Sequence, residues 1–213
     1  PLGEWQAFAR FPTWMWRNSD VRRFVDWLRE HNAELPHERR VQFAGLDLYG
    51  LYNSIAEVLR FLEAADPETA AVARERYGCL TPWQKDPAAY GRAALTGSYR
   101  SCEPDVLGML QDLLGNRMAH LRVEDETFFD AVQNARLVAD AEAYYRIMYY
   151  GAAQSWNHRD QHMFQTLRQL LEFRGPRSKA VVWEHNSHVG DATATEMSAR
   201  GELNIGQLCR QQF

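Results

Sequence analysis

Two histidines three residues apart, with an amide between them and a carboxylate just beyond, stand in the run Glu184-His185-Asn186-Ser187-His188-Val189-Gly190-Asp191. Imidazoles titrate near neutrality and can act as base, acid, hydrogen-bond donor or metal ligand. As a metal motif the pair is weak. It supplies two ligands where a catalytic zinc takes about three, and no His-Glu-x-x-His occurs. The plain structural alternative is a turn whose imidazoles bond the backbone. A second set is Ser155-Trp156-Asn157-His158-Arg159-Asp160-Gln161-His162-Met163. On a helix, Trp156, Asp160, Met163, Leu167 and Leu170 share one face. Asp160 there must find a partner, since an unpaired buried carboxylate costs several kcal/mol. Arg159 is turned about 100° away around the helix, so the partner belongs on another element, and a structural salt bridge is the ordinary outcome. His158 and His162, with Gln165 and Gln169, are read as a solvated face. Asp47 ends a short apolar run and is either a site carboxylate or an exposed cap.

The elements that position these groups are mostly helices. Val21, Phe24, Val25 and Leu28 recur at helical spacing after Ser19-Asp20, and Leu51, Ile55, Val58, Leu59 and Leu62 do so further on. Asp66-Pro67-Glu68 opens a third helix with Asp as N-cap, ending at Gly78. Glu103-Pro104-Asp105 opens a fourth, and residues 126–150, free of Pro and Gly, form one long helix. The stretch from Tyr77 to Ser101, with its Gly and Pro, reads as irregular. The Tyr144-Tyr145 and Tyr149-Tyr150 pairs read as core and rim. Val41 to Leu48 and Ala180 to Trp183 are short apolar runs that read as strands of a parallel sheet, neighbours or one strand apart. Asp47 and His185 would then emerge at one edge, where open α/β sheets bind ligands. Two strands make no stable sheet alone, so the remaining strands are expected outside this sequence.

Composition narrows the classes. Lys and Arg number 24 against 28 Asp and Glu, a net charge of −4, and no basic run exists to follow a nucleic acid. No apolar run approaches the ~18 residues of a membrane span, and no secretory leader is visible. Three widely spaced cysteines suit reduced thiols, so a cytoplasmic protein is expected. There is no Gly-x-Ser-x-Gly elbow, P-loop or Gly-x-Gly-x-x-Gly.

Five motifs in order carry a resemblance: Phe11-Pro12-Thr13-Trp14-Met15-Trp16-Arg17-Asn18, Phe43-Ala44-Gly45-Leu46-Asp47, residues 155–163, residues 181–191, and Gly201-Glu202-Leu203-Asn204-Ile205-Gly206-Gln207. They resemble the erythromycin esterase family of macrolide-inactivating hydrolases across essentially the whole chain. The resemblance implies an α/β fold, a predominantly helical chain wrapped around a small parallel sheet that lies only partly in this sequence. It implies metal-independent, cofactor-free hydrolysis of an ester or lactone by an activated water, with macrolides as substrates of only some members. His185 and His188 match the family's histidines and are cast as orienting or oxyanion-stabilising groups. Asp47, Asn157, Arg159, Asp160 and Asn186 are supporting or substrate-binding positions. The family's Gly-Glu-x-(Ser/Thr)-His element, with its general-base histidine, does not occur here; Gly3-Glu4-Trp5 is followed by no His. Residues 1–213 are therefore expected to be one domain truncated at both ends, nearly inactive alone, with the rest of the parent chain completing the sheet. The rival expectations are a non-catalytic small-molecule module, or a metal- or haem-binding protein using His185, His188 and Asp191. Oligomeric state is left open.

Overall fold

In a computed structural model the described residues are 5, 7–8, 13–115 and 126–213. Gly3-Glu4 and the Phe11-Pro12 pair of the first motif lie outside them. The chain divides into two compact units, Pro1–Gly45 and Leu46–Phe213. In the first, α1 (Thr13–Trp16) leads to α2 (Ser19–Ala33). The Asn18 side chain caps α2 by accepting from the amides of Asp20 and Val21, two donors no helical carbonyl can reach. Phe24 and Phe8 both meet the Phe43 ring edge-on.

The second unit is a helical assembly around one long helix. Its elements are α3 (Leu51–Ala65), α4 (Pro67–Tyr77), α5 (Pro87–Leu95), α6 (Glu103–Leu114), α7 (Glu126–Ile147) and α8 (Ala152–Arg174). Three short pieces follow: α9 (Asn186–Val189), α10 (Glu196–Ala199) and α11 (Ile205–Gln212). Asp66 and Asp86 cap α4 and α5, each with Pro at the next position, whose missing N–H has no helical partner to lose. The second of these signals lies inside the stretch read as irregular, which holds a 3₁₀ segment, Gly78–Trp83, followed by α5. α7 packs against α3, α5, α6 and α8. Small residues on α7, Ala135 and Ala141 among them, are fully buried and let its neighbours come close. Gly91 of α5 lies against the Tyr145 carbonyl, so that a Cβ there would be 1.9 Å from that oxygen. Val58, Leu62, Met109, Leu113 and Val138 fill the core.

Among the described residues the expected parallel sheet is absent. Among the described residues every regular element is helical, so the α/β expectation is corrected to an all-helical fold. The physical reason is that a strand exists only with a partner for its N–H and C=O groups. Residues 41–47 and 179–185 take no regular secondary structure and form no ladder. At Val41 the pairing comes instead from Asn32, whose amide donates to the Val41 carbonyl and accepts from its N–H, at 2.7 and 2.9 Å. Nor are the runs buried on both faces: Val181 is 96% exposed and Trp183 52%. Leu46 and Val182, one from each run, nevertheless pack on the same small cluster of Met163, Phe164, Leu167 and Ile205.

The thiols also differ from expectation. Cys79 and Cys102 are both buried and joined as a disulfide, with Cα atoms 6.0 Å apart, and only Cys209 is free. Tyr90, held by the buried Glu142 carboxylate, accepts the Cys102 amide at 2.8 Å, which ties the bridge to α5 and α7. No helix among the described residues is long and apolar enough to cross a membrane.

Candidate functional site

α8 builds the site from four consecutive turn positions. Trp156 and Asp160, four residues apart, face inward with Met163 and Leu167, as their spacing requires. Asp160 is fully buried. Its Oδ1 accepts the Ile205 amide at 3.0 Å, and both carboxylate oxygens face Nδ1 of His188, at 3.0 and 3.1 Å. The Trp156 indole lies flat on the His188 imidazole, centroids 4.6 Å apart and planes 4° from parallel. Its N–H donates to the Leu203 carbonyl at 2.7 Å. His188, 7% exposed, is thus fixed in the plane by a ring and along its edge by a carboxylate. With Nδ1–H donating to Asp160, Nε2 is the ring atom left to accept a proton.

Asn157 clamps the approach to α11: its amide donates to the Gly201 carbonyl, and its carbonyl oxygen accepts the Leu203 N–H, both at 2.8 Å. Asn204 caps α11 through the Gln207 N–H and donates to the Ser187 carbonyl at 2.9 Å, joining α11 to α9. Gly206 completes the junction. A Cβ there would lie 2.1 Å from the Gly190 carbonyl oxygen and 2.4 Å from that of Val189, so α9 rests directly on the α11 backbone. Arg159, on the next face of α8, forms a two-pronged pair with Asp47 at 2.9 and 2.7 Å, the planar fork matching the carboxylate. Its guanidinium lies 4.7 Å above the Tyr49 ring, and the Tyr49 and Tyr144 hydroxyls are 3.0 Å apart.

His185 and Asn186 are exposed. His185 caps α9: Nδ1 accepts the Ser187 amide at 3.2 Å, so the neutral ring carries its proton on Nε2. The two histidines therefore offer opposite functions, a donor at His185 Nε2 and an acceptor at His188 Nε2. Asp191 turns away, onto the amide and hydroxyl of Thr193. His185, His188 and Asp191 each have separate partners, and among the described residues no group of three or more His, Cys, Asp or Glu is arranged to hold a metal. His162 and His158, read as solvated, are not. His162 is buried with Nδ1 2.6 Å from the Asp140 carboxylate, and His158 Nε2 lies 2.8 Å from the Asp140 carbonyl oxygen, so both tie α8 to α7.

Glu184 is the site residue that sequence reasoning passed over. Burial pushes its carboxyl up to about 7; His188 and Arg159 oppose the rise, while Asp160 and Asp47 add to it. A signal existed in the alternation of the run, since Val182 and Glu184 fall on one side and Val181 and Trp183 on the other. Next to these residues lies a cleft of about 330 Å³ walled by Val182, Val189, Ile205, Gly206, Cys209 and Arg210.

A crystal structure of a Bacillus cereus protein is similar in fold, with a TM-score of 0.73 and 20% identity over 92% of this chain. This chain spans about half of that protein, 47% of its length. Fold and site together describe a helical domain with a buried carboxylate–histidine pair. The erythromycin esterase family model matches residues 2–213, and the chain belongs to that family.

Proposed function

We propose that this domain takes part in the hydrolysis of an ester or lactone by an activated water. The observation that carries the proposal is the Asp160–His188 pair, buried, planar against Trp156 and held by hydrogen bonds. An imidazole fixed this way loses little freedom in reaching its working geometry. The Asp160 carboxylate stabilises positive charge on the ring whenever it develops. His188 Nε2 orients the attacking water by accepting its hydrogen bond. His185 Nε2–H donates to the carbonyl oxygen as negative charge builds there. The bidentate Asp47–Arg159 pair and Asn157 hold the surrounding backbone and the guanidinium in place. The Asn186 side chain, exposed beside His185, is assigned to substrate contact. The first proton transfer from water is given to the histidine of the family's Gly-Glu-x-(Ser/Thr)-His element, acting in the full-length protein.

The test is turnover of a panel of macrolides and simple esters. In the full-length protein His185→Ala and His188→Ala should each lower turnover at least about tenfold. The 213-residue chain alone should be nearly inactive. Full activity in both variants would move the chemistry away from these histidines, and full activity of the chain alone would place the base within it.

A further inference from the structure

Glu184 has no part in the mechanism above, yet it lies among the groups that do. From Val181 to His185, just before α9, exposure alternates along the chain. Val181, Trp183 and His185 are exposed; Val182 packs on the Met163–Ile205 cluster, and Glu184 follows it inward. Glu184 Oε2 is buried and has no hydrogen-bond partner among the described residues. Charged and titratable groups face it from each surrounding element: His188 of α9, Asp160 and Arg159 of α8, Asp47 of the segment before α3, and Cys209 of α11. Two of these are carboxylates, and the Arg159 guanidinium and the His188 Nδ1 are already committed to them. An unpaired, desolvated carboxylate is disfavoured in such surroundings and the neutral acid favoured.

Resting on the hydrolase proposal, we propose that Glu184 is the general acid of this site and gives its carboxyl proton to the departing alkoxide. The base takes a proton from water as the water oxygen bonds to the carbonyl carbon. The C–O bond of the tetrahedral intermediate then breaks, its electron pair leaving with the alkoxide oxygen. The Glu184 proton completes the alcohol, and the carboxylate regains through solvent the proton that the base had taken. Ester and water become acid and alcohol, and both protein groups return to their starting states. A carboxyl brought close to neutrality by burial suits this task, because it still carries a proton at working pH and releases it readily.

The diagnostic is dependence on the leaving group. A series of esters of one acid, with leaving alcohols from ethanol to p-nitrophenol, is assayed with the full-length protein and its Glu184→Gln and Glu184→Asp variants. Ethoxide needs a proton to leave; p-nitrophenolate does not. Glu184→Gln should lower turnover of the ethyl ester about 10²-fold, at least tenfold more than that of the p-nitrophenyl ester. Glu184→Asp should recover part of the ethyl-ester rate, with thermal unfolding confirming that both variants are folded. Equal losses across the series would show a structural role and overturn the proposal, as would an undiminished ethyl-ester rate. A wild-type protein inactive on every ester and macrolide would instead overturn hydrolysis itself, and the acid role with it.

Discussion

Glu184 also links the site to stability through pH. Its carboxyl lies at about 7 when folded against 4.5 for an ordinary glutamate, so between those values the folded chain binds more protons than the unfolded one. Stability from this group is complete below about pH 4.5, falls as pH rises toward 7, and is level above. With allowance for the solvent that reaches the group, the loss is on the order of 2 kcal/mol. Urea unfolding at pH 4.5 and pH 8 should show a wild-type decline that exceeds that of Glu184→Gln by about this amount; parallel declines would refute it. Asp160 shows what could be read from local spacing. Its shared face with Trp156, Met163 and Leu167 marked it as buried, and the 100° offset of Arg159 marked the partner as remote. That the partner was His188, with Ile205 N–H beside it, was illegible, since nothing near residue 160 in the chain refers to residues 188 or 205.

The junction of α9 and α11 sets the position of His188. Because Gly206 touches the Val189 and Gly190 carbonyls, even one added methyl must push the two helices apart. Gly206→Ala should cost about 1–3 kcal/mol and lift the imidazole from the Trp156 indole. The checks are a urea midpoint and the ring-current shift on the His188 protons, which should move toward the value of an unstacked histidine. An unchanged shift would mean that α9 is held by other contacts. Helix starts were legible at Asp66-Pro67 and where an amphipathic period marked them, because caps and faces are written in adjacent residues. The Asp86-Pro87 pair carried the same signal inside a stretch read as irregular. The strands were misread for the opposite reason. An apolar, β-branched run such as Val181-Val182-Trp183 states a preference for extended backbone, but the ladder that makes it a strand depends on residues elsewhere.

Across the larger unit, the Cys79–Cys102 bridge joins the turn after α4 to the start of α6 and closes a loop 23 residues long. Loop-closure entropy alone makes such a link worth about 3 kcal/mol. Unfolding with and without reductant, with Cys79→Ser and Cys102→Ser together as control, should show that loss; a midpoint indifferent to reductant would show that the thiols are unpaired in solution. Counting cysteines could not have found the bridge, since an odd number and wide spacing fit free thiols equally well. The site spans far greater distances along the chain. Arg159 reaches back 112 residues to Asp47, and Trp156, Asn157 and Asp160 reach forward 44 to 47 residues to Gly201, Leu203 and Ile205. A chain emerging from a ribosome can pack α3 to α7 long before residues 201–205 exist. Until they appear, α8 displays a bare indole N–H and a carboxylate without the Ile205 amide that it accepts in the finished fold. Synthesis halted between Arg174 and Ile205 would therefore leave the bundle of α3 to α8 with an unfinished polar face, which the last residues of the chain close.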